Sequence, residues 1–249
     1  NSEKRSYIYN EYVPQILQSI PNFCSFLLCT PPELSFYTKI IAGESLALLC
    51  ISFNIFVQSP SYDLFFDGLI NTISFFSKLF EDDLEDFVNN PYNYYVTAFV
   101  VEYNSNSDAR SNSVNLLRLL CDNQDQKYVN RAIELLVHAV PNEGILFLLS
   151  NIIDLVNIDE IKEILQQYVM LLSNSFSDFP QDMQLSYMLL SSRCMFLLTP
   201  EESEKILEIA CFYLSQIQMN DISPLSRFYF TIASEIVYSF LVKYKTLPD

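Results

Sequence analysis

Catalysis by an activated nucleophile needs a base beside it, and this chain holds one histidine, His138, within "RAIELLVHAVP". That position falls near the expected end of a helix, where an imidazole gains from the negative end of the helix dipole in an ordinary structural role. The cysteines (Cys24, Cys29, Cys50, Cys121, Cys194 and Cys211) form no CxxC pair and have no neighbouring histidine to complete a zinc site. All six sit among large hydrophobes and read as buried, reduced thiols of an intracellular protein. Gly43, Gly68 and Gly144 are the only glycines and lie far apart. No loop of the GxGxxG or Walker type can therefore bring backbone against a phosphate. The chain reads as a non-enzyme, with no cofactor and no metal expected.

Chemistry of another kind is concentrated in "EDDLED", residues 81–86, where Glu81, Asp82, Asp83, Glu85 and Asp86 crowd together. Carboxylates this close repel one another and gain when Lys or Arg side chains approach. One reading is a solvated connector; the other is an acidic surface that docks basic protein segments. Asp63 and Asp67, in the preceding helix, would extend that surface. Calcium ligation is disfavoured, because the run lacks the alternation and central glycine of an EF-hand loop. Glu204 and Glu208 add a like-charge i,i+4 pair, mildly unfavourable until a basic partner relieves it. Paired-carboxylate hydrolysis needs a concave sugar or water site, and nothing in the sequence points to one.

The whole composition leans the same way. Fourteen basic residues against thirty acidic ones leave a formal charge of −16. Such a field repels nucleic acid and anionic membrane surfaces and attracts basic polypeptides. It also keeps a chain that is 50% hydrophobic in solution. The segment "IIAGESLALLCISFNIFV", residues 40–57, carries Glu44 and has too short an uncharged part to span a bilayer, so it reads as a buried helix. The opening "NSEKRSYIYN" has neither an initiator Met nor a signal segment, and the chain reads as a piece of something longer.

The elements that must position these groups are helices. In 159–172, Ile161, Ile164, Leu165, Tyr168 and Leu172 follow the spacing of one helix face. Ile206, Ile209, Ala210, Tyr213 and Ile217 do the same in 199–217. That helix opens with Thr199 as N-cap, Pro200 at the first helical position and Glu202 closing a capping box. Ser223-Pro224 repeats the cap and proline, and Pro31-Pro32-Glu33 opens another helix. Further helices are expected at about 61–80, 91–104, 108–121, 124–139, 143–156, 181–197 and 224–243.

Connectors such as "PNEG" and "LLTP" are short, so successive helices are expected to pack as antiparallel neighbours. Paired helices then start near residues 33, 91, 124, 158 and 199; after the first, wider gap the spacing is roughly 33–41 residues, within the range of helical-repeat solenoids. The expected fold is all-α, a HEAT-like helical-repeat solenoid. Residues 1–249 would form a single segment of it, about five helix pairs plus an N-terminal helix. In "SDARSNSVNLLRLL" (107–120), Asp108, Arg110, Ser113 and Leu116-Leu117 follow an order that HEAT second helices favour. There an early acid pairs with an arginine of a neighbouring repeat, and the arginine continues a ladder along the stack.

Four stretches in order carry a resemblance to the importin-β (karyopherin-β) superfamily of nuclear transport receptors. They are "LFEDDLEDFVNNPYNY" (79–94), "DARSNSVNLLRLL" (108–120), "LSYMLLSSRCMFLL" (185–198) and "TPEESEKILEIACFYL" (199–214). The chain is most similar to large importins of the importin-nine and importin-seven types and to the export receptor for importin-α. The likeness spans roughly residues 62–243. It implies a middle segment of a HEAT solenoid and basic protein cargo such as histones or ribosomal proteins. It further implies contact with nucleoporins, shuttling between cytoplasm and nucleus, and control by Ran-GTP through other parts of the parent chain. The acids at 81–86, with Asp63 and Asp67, would face the cargo. A HEAT scaffold or adaptor outside nuclear transport is the alternative.

Overall fold

The computed structural model describes residues 35–58, 62–79, 83–85, 89–90, 108–123, 125–156, 158–216 and 223–245. Among these residues the fold is all-α, with no strand. The helices are α1 (Ser35–Ile51), the short α2 (Phe53–Phe56), α3 (Tyr62–Phe76), α4 (Ala109–Asn123) and α5 (Gln126–His138). They continue with α6 (Glu143–Ile152), α7 (Ile158–Ser173), α8 (Gln181–Cys194), α9 (Pro200–Gln216) and α10 (Pro224–Tyr244). The helix expected at 91–104 lies outside the described residues.

Local chemistry sets several of the starts. Asp125 accepts from the Lys127 N–H at 3.2 Å, Asn142 from that of Ile145 at 3.2 Å, and Ser223 from that of Ser226 at 3.2 Å. Each satisfies an amide that the first helical turn leaves without a partner. Both halves of the capping box at α9 form: the Glu202 N–H donates to Thr199 Oγ1 at 3.3 Å, and the Thr199 N–H donates to Glu202 Oε2 at 2.8 Å. At the other end of the chain α10 stops with Lys245 in the left-handed region, at φ 65°.

Packing sorts the helices into two rows. In one, α1 lies on α4, α4 on α6, α6 on α8 and α8 on α10. In the other, α3 lies on α5 and α5 on α7, while α9 packs against α10. Successive helices do meet at α4–α5, α5–α6, α7–α8 and α9–α10, yet much of the most extensive packing joins alternate helices such as α6 and α8. The reason lies in the sequence of α6, "EGILFLLSNI", whose residues Ile145 to Leu149 form an unbroken apolar run that covers every side of the helix. A helix of that kind needs neighbours on several sides, and every residue from Glu143 to Ser150 is buried.

Two expectations need correction. The segment at 40–57 is not one buried helix: it breaks at Ser52, and although Ala42, Leu46, Leu49 and Phe53 are buried, Ile41, Leu48 and Ile51 face outward. No helix among the described residues is long and apolar enough to cross a membrane. Of the described cysteines Cys194 is buried, Cys50 and Cys121 are half-buried, and Cys211 is exposed, because the buried face of α9 runs through Ser203, Ile206, Leu207 and Ala210, and position 211 turns away from it. Cys24 and Cys29 lie outside the described residues.

Candidate protein-binding surface

Of the seven carboxylates expected to meet a partner, the structure describes Asp63, Asp67, Asp83 and Glu85. Asp63 and Asp67 stand one turn apart near the start of α3. Asp83 and Glu85 come in sequence after that helix's other end, which lies roughly 14–20 Å along the helix from Asp67 and Asp63. Glu81, Asp82 and Asp86 lie outside the described residues.

Three of the acids already have partners within the chain. The Tyr128 hydroxyl of α5 donates to Asp63, and Arg131, one turn on, meets Asp67 at 2.7 Å with both side chains 46% exposed. The hydrogen bond to Asp63 holds the Tyr128 phenol above its usual range. Rings reinforce this seam: Tyr128 lies edge-on to Tyr62, and Arg131 sits over the Phe66 face. Asp83 accepts from Lys39 of α1 at 2.9 Å. Glu85 is exposed, as are Glu204 and Glu208 on the outer side of α9.

The polar centre of the molecule lies elsewhere. Arg110, on α4, donates through Nη1 to Glu143 Oε2 at 2.8 Å and to the Ser77 carbonyl, and through Nη2 to Glu143 Oε1. Glu143 also accepts from Ser186 of α8 at 2.9 Å and from the Leu79 amide at 3.3 Å. The Arg110 guanidinium lies 3.7 Å from the centre of the Phe147 ring. Asp108 is not the acid that takes an arginine: it caps its own helix, accepting from the Arg110 and Ser111 amides at 3.1 Å each. Ser77 comes so near Gly144 that a Cβ there would lie 2.6 Å from its hydroxyl and 2.7 Å from the Lys78 nitrogen. Burial first, and Glu143 second, raise the Asp182 carboxyl above its usual range, and Arg110 opposes the shift.

A second set of polar links runs between row neighbours at helix ends. Arg193 of α8 donates to the Ser150 carbonyl of α6 at 2.8 Å, and Lys243 of α10 donates to the Met195 carbonyl at 2.9 Å and to that of Leu198. A cation at a helix C-terminus offsets the partial negative charge of the last carbonyls. Gln184 ties the other ends together, accepting from Tyr213 at 2.7 Å and Tyr229 at 3.2 Å, whose rings stack.

His138 closes α5, exposed, its Nδ1–H donating to the Glu134 carbonyl at 2.7 Å. Among the described residues no group of three or more His, Cys, Asp or Glu side chains is placed to hold a metal ion. Local pattern did not single out Glu143 or Gly144, although an acid and a glycine opening an otherwise apolar helix are the kind of signal that marks buried pairing and close approach. No protein-family model, curated protein or solved structure matches this chain.

Proposed function

We propose that this chain is a HEAT-like helical-repeat segment of a nuclear transport receptor, binding basic protein cargo without chemistry of its own. The observation that carries the reading is the alternation of helices between two rows, cross-linked by Arg110 and Glu143 of successive row members. Repeats stacked in this way offer extended concave binding surfaces. The charge of −16 suits histone-like or ribosomal proteins as cargo. Within this reading the parent chain meets Ran-GTP through other repeats, contacts nucleoporins, and shuttles between cytoplasm and nucleus.

A second reading, a HEAT scaffold or adaptor outside transport, draws on the internal engagement of Asp63, Asp67 and Asp83. Acids satisfied by Tyr128, Arg131 and Lys39 have less to offer a cargo. The deciding experiment captures a histone dimer on the full-length protein and then adds GTP-loaded Ran. Transport predicts capture and release. Capture that ignores Ran, or no capture, favours the scaffold.

A further inference from the structure

We draw no further inference here: the strongest candidate, the acidic surface patch where Asp83 meets Lys39 of α1 at 2.9 Å, belongs to the site already described, and a contact within the chain does not show what would take the place of Lys39.

Discussion

Arg110 and Glu143, 33 residues apart in sequence, meet as a two-pronged ion pair whose side chains are 5% and 6% exposed. Each charge is held by more than the other: Glu143 takes Ser186 and the Leu79 amide, and Arg110 takes the Ser77 carbonyl and the Phe147 face. Removing one partner strands the other in an apolar setting. Glu143→Ala is expected to cost about 3–5 kcal/mol in urea unfolding, whereas the double variant Arg110→Met, Glu143→Leu recovers most of the loss. A single variant as stable as the parent would show that the pair is solvated.

Two glycines should respond in opposite directions to the same substitution. Gly144→Ala drives a methyl into the Ser77–Lys78 backbone and is expected to destabilise by about 1–3 kcal/mol. Gly68, inside α3, has nothing within 4 Å of the added carbon. Gly68→Ala should therefore stabilise by about 0.5–1 kcal/mol, as helix propensity dictates. Thermal melts of both variants decide the matter.

Thiol reactivity should be ordered by burial. Burial pushes the Cys50 thiol up to about 11 and those of Cys121 and Cys194 up to about 12. At mildly alkaline pH these three are almost wholly in the unreactive thiol form. Site-resolved alkylation should mark Cys211 well before Cys50, Cys121 or Cys194, and early modification of Cys194 would contradict its burial.

The acids give a graded prediction. Asp63→Asn and Asp67→Asn should each cost about 0.2–1 kcal/mol of stability by loosening the seam between α3 and α5. Neutralising Glu81, Asp82, Asp83, Glu85 and Asp86 together should slow association with a histone dimer and flatten its salt dependence. Binding unchanged across a salt series identifies the run as a solvated connector.

Glu202 contributes a pH dependence of known sign. Burial pushes its carboxyl up, but the Thr199 amide, the Gln166 side chain and the Thr199 hydroxyl outweigh it, leaving Glu202 below the usual range. Its contribution is complete above the unfolded carboxylate pKa and fades as pH falls through the lowered folded value. Glu202→Gln should therefore lose less stability than the parent between about pH 5 and about pH 3. An identical acid response in both proteins would rule this out.

Helices and their starts were legible because they are local. The spacing of Ile161, Leu165, Tyr168 and Leu172 marks the buried face of α7, and Thr199 with Glu202 marks the start of α9. Which side of an all-apolar helix faces out is a different matter. Nothing nearby in sequence distinguishes Leu46 from Leu48, since only the position of α4 buries one and leaves the other in water. The candidate site was less legible for the same reason. Asp63 and Asp67 look like free surface acids until α5 brings Tyr128 and Arg131 to them from more than 60 residues away.

Stiffness is distributed unevenly along the rows. Where the end of α3 passes Gly144, backbone touches backbone with no room for a methyl, and the Arg110 clamp closes over the joint. That contact leaves no room for motion that brings the two segments closer. The seam of α3 with α5 is held by water-accessible links, Tyr128 to Asp63 and Arg131 to Asp67, which can part and re-form. The second seam can thus open in water at the cost of two solvent-exposed links, whereas opening the first strands a buried ion pair.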